Sequence, residues 1–274
     1  MDLEDWFHVI SPMAPKVDVW EQQEPRVEAS TRKILDLLDR YNTSATFFVL
    51  GWIAERYPEL IKEIAQRGHE IANHGYHHLL LSELNPDSFR QDLLRAEQAI
   101  VSCGVKKPVG FRAPSYSLTP KTTWAWEVLI EAGYLYDASI FPAARHNGGW
   151  PKAPNQPYQP VRGQNFWEIP VSSIHIGSFR WIFCAGGYLR ITPRSIFVYG
   201  FKRMEKNGEI AVLVLHPKDV DPSVPSAVQG LYPSWRQKLH IGSTEDKLKA
   251  VLHNFPFITM IEAVSKLARK REST

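Results

Sequence analysis

Two kinds of hydrophobic spacing alternate along this chain. Ala45–Leu50 (ATFFVL) and Ala211–Leu215 (AVLVL) are unbroken apolar runs rich in β-formers, the pattern of strands buried on both faces. His69–Ala72, Pro108–Phe111, Tyr134–Ile140, Phe166–Val171 and Phe257–Met260 read as further strands, and Asp2–Ile10 as a strand running into a loop. Between them, apolar residues recur every three or four positions. Val27–Tyr41 carries Ile34, Leu35, Leu37 and Leu38 and ends near Asn42, while Pro58–Arg67 is closed by Gly68 in a helix-capping position. Asn85-Pro86-Asp87 starts a helix that continues through Leu93, Leu94, Ala96 and Ile100. Helices are also predicted from Thr119-Pro120 to Gly133, from Thr192-Pro193 to about Lys206, and from Ser243-Thr244-Glu245-Asp246 to Leu252, before a basic terminal helix. His146–Gln164, rich in Gly, Pro and Asn, reads as a long surface loop, and Gly186-Gly187 marks a turn in a hairpin insertion within Ile174–Ile191.

Strand and helix alternate throughout, so the expected fold is α/β, a parallel sheet wrapped by helices. The polar candidates sit at or just beyond strand ends: the Asp2 cluster, His74, Arg112, Asp137 and His216. In an α/β barrel those ends converge on one face, whereas a flat doubly wound sheet brings fewer together. An irregular (β/α) barrel forming one domain over residues 1–274 is therefore expected, with neither repeat nor linker.

Composition narrows the function more than the fold. The 274 residues are 44% hydrophobic and 22% charged with a formal net charge of +3, too mild a bias to argue for nucleic acid. Cys103 and Cys184 lack metal-type spacing. No run of about eighteen apolar residues exists and no secretory signal opens the chain, so as it stands it reads as soluble and cytoplasmic. Its abrupt start before a strand-like segment leaves room for an upstream piece.

Four of the ten histidines fall within His69–His78. His74 and His78, four apart, would lie on one face of a helical turn and hold one metal ion through neutral nitrogens. By itself this pair is more often a solvated loop, and its weight comes from the company it keeps. Asp2, Glu4 and Asp5 are costly on a buried strand unless paired or metal-bound. Together the residues suit metal-assisted hydrolysis. Two histidines and a carboxylate hold a divalent ion, a second carboxylate takes a proton from water, His216 protonates the leaving group, and Arg112 locks the base.

In this order the motifs resemble the polysaccharide deacetylase family with its NodB-homology domain. They are the Asp-containing first strand, Gly68-His69-Glu70-Ile71-Ala72-Asn73 leading into His74-x-x-x-His78, then Arg112-x-Pro114, Asp137 and Leu215-His216. The resemblance implies an irregular barrel of β/α units and a zinc-like divalent ion, acting to remove acetyl groups from N-acetylated sugars. It implies Asp2 as base, His74 and His78 as metal ligands, Arg112 orienting the base, and Asp137 supporting the acid His216. Tyr116 would line the substrate groove, its hydroxyl or its backbone N–H stabilising the oxyanion. The region from about 175, with Gly186-Gly187-Tyr188 and His216-Pro217, resembles a branch associated with bacterial exopolysaccharide production. Family members often carry adjacent aspartates where this chain has Asp2-Leu3-Glu4-Asp5. Strand alternation favours Glu4 as third ligand, and a bend after Leu3 would present Asp5 instead.

Two other readings stay open: a cyclic-amide hydrolase of the same fold and an inactive carbohydrate-binding module. Metal content together with acetate release separates them. His69 reads as a strand residue, Trp124 and Trp126 as helix packing, and His146, Trp235 and His240 as loop residues.

Overall fold

The computed structural model describes residues 1–12, 14–176, 179–225 and 241–272. Trp235 and His240 lie outside them. Six short strands form one parallel sheet in chain order: β1 (Asp2–Leu3), β2 (Thr46–Val49), β3 (Glu70–Asn73), β4 (Gly110–Phe111), β5 (Tyr136–Asp137) and β6 (Trp167–Glu168). Sequential parallel neighbours need crossovers. These are α1 (Val27–Arg40) between β1 and β2, then α2 (Gly51–Arg56) and α3 (Pro58–Gln66) between β2 and β3. Next come α4 (Pro86–Ser102) and α5 (Trp124–Glu131), one in each of the following two crossovers. An antiparallel pair, β7 (Ile174–Ile176) and β8 (Phe179–Trp181), stands apart from the sheet. The chain then forms α6 (Gly186–Ile191), α7 (Arg194–Lys206), α8 (Gly242–Asn254) and α9 (Met260–Glu272).

One register row crosses the sheet: Leu3, Val49, Asn73, Phe111, Asp137 and Glu168 are successive partners. Side chains alternate faces along a strand, so residues one step from this row face the other way. Phe48, Ala72, Tyr136, Ala138, Trp167 and Ile169 accordingly form one buried cluster with Val212 and Val214, while Phe111 packs outward with Phe89, Leu93 and Trp126.

Beyond β6 the sheet curls toward β1 through segments too irregular to be strands. Asp2 N–H donates to Leu215 O at 2.9 Å, and Val214 N–H to Cys184 O at 2.9 Å. The expected strand Ala211–Leu215 thus has its place, but only Val214 is bridged, in parallel, to Ala185. Side-chain acceptors interrupt the ladder. Ile210 N–H bonds Gln156 Oε1 at 2.8 Å and Val212 N–H bonds Ser172 Oγ at 2.7 Å. The expected strand Phe257–Met260 is instead the lead-in to α9. Thr259 N–H donates to Glu262 Oε2 at 2.9 Å and Glu262 N–H to Thr259 Oγ1 at 3.3 Å, a reciprocal helix cap. No described helix is long and apolar enough to cross a membrane.

Candidate active site

Glu4, His74 and Arg112 each follow the register row by one residue, so three strands deliver them to one end of the sheet on the inward face. Asp2 shares that face from one step before. Arg112 is almost wholly buried, and its Nη1 lies 2.5 Å from Asp2 Oδ1 while Nε donates to Ala138 O at 3.0 Å. Burial raises the Asp2 pKa, but the Arg112 guanidinium, followed by His74 and His216, overrides it and holds the carboxyl below the usual range.

The histidine loop is not the helical turn expected for His74-x-x-x-His78. Asn73 Oδ1 accepts Gly75 N–H at 2.8 Å, Asp92 Oδ2 accepts Tyr76 N–H at 2.9 Å, and Gly75 turns the chain at φ 75°. A side chain at Gly75 would place its Cβ 2.8 Å from Asp92 Oδ2, so the close approach requires glycine. His78, at φ 59°, brings its ring centroid within 5.4 Å of that of His74. Ser115 and Tyr116 at the cleft are also left-handed, at 54° and 55°. Such strain persists only where surrounding contacts over-determine it.

Of the two acids competing for the third ligand position, the structure places Glu4 beside the histidines. Its Oε2 is 3.8 Å from His78 Nε2. The chain does bend after Leu3, Glu4 N–H donating to Asp2 O at 3.1 Å, yet the bend leaves Glu4 facing the site and turns Asp5 away. Asp5 Oδ2 accepts the Arg26 and Val27 N–H groups at 2.8 and 3.0 Å, supplying from outside the helix the acceptor that α1 lacks at its N-terminus.

These residues fit a divalent cation. Ligand atoms of Glu4, His74 and His78 all lie within 4.8 Å of one another, and all three residues are buried. His74 Nδ1 is 2.6 Å from Arg112 O, so this nitrogen carries the proton and Nε2 keeps its lone pair for the cation. Burial lowers the pKa of His74 to about 4 and that of His78 to about 3, keeping both imidazoles neutral as a ligand must be. Two imidazoles and a carboxylate form a donor set suited to zinc.

His216 enters the same cleft from the end of the Ala211–Leu215 segment. Its Nε2 is 3.3 Å from Glu4 Oε1 and 3.7 Å from Asp2 Oδ2, and its Nδ1 is 3.1 Å from Asp219 Oδ2. Asp219, also near Arg190 at 3.6 Å, takes the supporting place expected of Asp137. Asp137 belongs to the register row and therefore faces outward. It accepts from Trp126 Nε1 at 3.1 Å and from Ser139, and it pairs with Glu168. The readable signal for Asp219 was His216-Pro217-x-Asp219, a turn start in which the acid also accepts His216 N–H at 2.9 Å.

Asp2, Glu4, His74, His78 and His216 line a cleft of roughly 280 Å³ together with Tyr116, Arg145, Tyr188 and Lys218. Tyr116 N–H is spent on Ala113 O at 3.1 Å, whereas its hydroxyl is buried without a hydrogen-bond partner among the described residues. His8, passed over in the sequence, also lines the cleft, its Nδ1 accepting Asp5 N–H at 2.9 Å. Trp124 packs on Phe89, and His146 is exposed.

Residues 19–136 match the family profile described as polysaccharide deacetylase, and residues 138–265 match a domain of unknown function (DUF3473). Asp2 and Glu4 precede the first region, and His216 and Asp219 lie in the second. A peptidoglycan-N-acetylglucosamine deacetylase of Bacillus cereus is 39% identical over 98 residues, 35% of this chain and 36% of that protein. A chitooligosaccharide deacetylase of a Bradyrhizobium species is 40% identical over 85 residues, 31% of this chain and 39% of the relative. The chain thus spans less than half the length of these curated relatives. Two crystal structures share the fold. A Mycobacterium smegmatis protein assigned as a polysaccharide deacetylase has a TM-score of 0.59 at 24% identity, covering 88% of this chain and 78% of its own. A Pseudomonas aeruginosa counterpart has 0.61 at 17%, covering 88% and 73%.

Proposed function

We propose, from the match of residues 19–136 to the polysaccharide deacetylase profile, that the chain removes N-acetyl groups from N-acetylhexosamine units of a bacterial polysaccharide or its precursor. The observation that carries this reading is an arginine-held carboxylate, Asp2, and an aspartate-held imidazole, His216, within 3.7 Å of each other beside Glu4. Hydrolysing an amide needs a base for water and an acid for the departing nitrogen, and these two groups suit those tasks.

Glu4, His74 and His78 would hold a divalent ion, zinc by donor type, which when bound would polarise the acetamide carbonyl and acidify water. Asp2 Oδ2, with Oδ1 anchored by Arg112, takes the proton as the water oxygen bonds to the carbonyl carbon. The Tyr116 hydroxyl donates to the developing oxyanion, a role supported by its burial without a hydrogen-bond partner among the described residues. As the C–N bond breaks, His216 Nε2 gives its proton to the amine, and the products are acetate and the free amino sugar. Asp219 keeps the other proton on Nδ1, so that Nε2 is the nitrogen facing the reaction. The resemblance of the C-terminal region to an exopolysaccharide-associated branch supports an exopolysaccharide as the substrate in this reading.

Acetate release from N-acetylated oligosaccharides by zinc-loaded protein, compared with Asp2→Asn, tests the proposal. Turnover that disappears in the variant supports it. Ring opening of cyclic amides with no acetate from any saccharide would replace it.

A further inference from the structure

Among the described residues, the charges around the cleft pair off, with one exception. Asp2 meets Arg112 at 2.5 Å, Glu4 meets Lys218 at 3.7 Å, and Asp219 meets Arg190 at 3.6 Å. Arg145 lines the same cleft and is exposed, and its guanidinium has no carboxylate or hydrogen-bond acceptor among the described residues. It is nevertheless held in place. Its Cζ lies 4.7 Å from the ring centroid of Phe141 and 5.4 Å from that of Tyr116. Arg112 Cζ lies 5.7 Å from the same Tyr116 ring, so Arg145 sits one aromatic ring away from the guanidinium that grips Asp2. Stacking on aromatic faces leaves the guanidinium edge, with its forked N–H donors, open to a planar anion.

The loop presenting Arg145 is closely fitted. Gly149 N–H donates to Tyr116 O at 3.0 Å, Trp150 N–H to Phe141 O at 2.8 Å, and Arg145 is bridged to Gly148. A Cβ on Gly148 would lie 2.2 Å from Tyr116 O, so only glycine permits the loop this close to the substrate wall. Tyr188, 36% exposed at the cleft and 6.1 Å from Phe141 by ring centroids, offers an apolar face to a sugar ring beside the cation.

We propose that Arg145 is a specificity-determining residue that binds the carboxylate of an acidic sugar next to the N-acetylated unit, so that the substrate is an acidic rather than a neutral saccharide. This rests on the deacetylase reading for the identity of the acetamide, but the anion contact itself requires no turnover. The carboxylate has two sources, a uronic acid or a lactyl ether, and both offer the same planar acceptor.

Binding is measured by calorimetry with three probes on zinc-loaded wild type, Arg145→Gln and Arg145→Lys. The probes are neutral chitotetraose, a hyaluronan tetrasaccharide bearing uronates, and the N-acetylglucosamine–N-acetylmuramic acid tetrasaccharide bearing lactyl carboxylates. Wild type is expected to bind at least one acidic probe about tenfold or more tightly than the neutral one, the range of a charge-assisted hydrogen bond. Arg145→Gln should erase that preference while leaving neutral binding unchanged, and Arg145→Lys should retain part of it. Raising salt should weaken only the acidic complex. The better acidic probe identifies the source of the carboxylate. Equal wild-type affinity for all three probes overturns the proposal. So does an equal loss on every probe in Arg145→Gln, which would make Arg145 a prop for Tyr116. Acetate release is followed separately. Its absence from every probe with the Arg145 preference intact would remove the deacetylase reading alone, whereas acetate release from all three with no Arg145-dependent preference would remove the subsite alone.

Discussion

Nδ1 of His216 and Oδ2 of Asp219 stand 3.1 Å apart, and the same oxygen accepts the backbone N–H of His216 at 2.9 Å. One carboxylate oxygen thus sets both the ring's tautomer and its place in the chain. Burial raises the Asp219 pKa, but the hydrogen bond and charge of His216 outweigh this and lower it to about 2, so the carboxylate stays ionised. Asp219→Asn should cut kcat for an acetamide by about tenfold or more, as expected when a general acid is misaligned, while an activated ester suffers less because its leaving group needs no proton. Equal losses on both substrates would count against this role.

Glu4→Ala, His74→Ala and His78→Ala should each lose tight zinc binding. Asp5→Ala should keep the zinc but lower stability by about 0.5–2 kcal/mol, the usual effect of removing a helix N-cap acceptor. Metal analysis after dialysis and a urea melt separate the two classes. Zinc lost from Asp5→Ala would move the ligand position to Asp5.

Arg112 and Asp2 form a buried pair, so removing one partner differs from neutralising the other. Arg112→Leu should destabilise the fold by about 3–5 kcal/mol by leaving a buried carboxylate unpaired. Asp2→Asn should keep zinc and lose turnover by about a hundredfold or more. An Arg112→Leu protein with an unchanged denaturation midpoint would contradict the pairing argument.

Asp137 and Glu168 are both fully buried: burial raises Asp137 to about 6 against the hydrogen bonds of Glu168, Ser139 and Trp126, and burial followed by the Asp137 charge raises Glu168 well above the normal range. An acid whose folded pKa is raised contributes stability fully below its unfolded pKa and loses it as pH rises through the folded value. Wild type should therefore lose stability relative to Glu168→Gln between the unfolded carboxyl value of about 4 and pH values above 6, since the amide supplies a hydrogen without titrating. Urea midpoints across that range give the difference, and parallel curves for the two proteins would refute the shared-proton pair.

By itself the sequence determined the alternation of strands and helices and the chemical types at the strand ends, because those are local properties. Asn85 with Ser88 caps α4 where Asn-Pro predicts it, and Gly68, at φ 81°, follows α3. His74, Arg112 and His216 were legible as site candidates because each lies at or just past the end of a short apolar segment, and chain continuity alone carries it to a strand end. Only the tertiary structure decided which of these end residues face one another. Register is a relation between strands, and a one-residue offset reverses a side chain. Arg112 stands one step past the row and faces Asp2, while Asp137 stands in the row and faces Trp126. Asp219 was marked only by the local turn start His216-Pro217-x-Asp219, which shows a bond to His216 but not that it faces the site. Arg145 had no such mark, because it follows no strand and acquires its position from a turn packed against Tyr116 and Phe141, residues that the fold brings to the cleft.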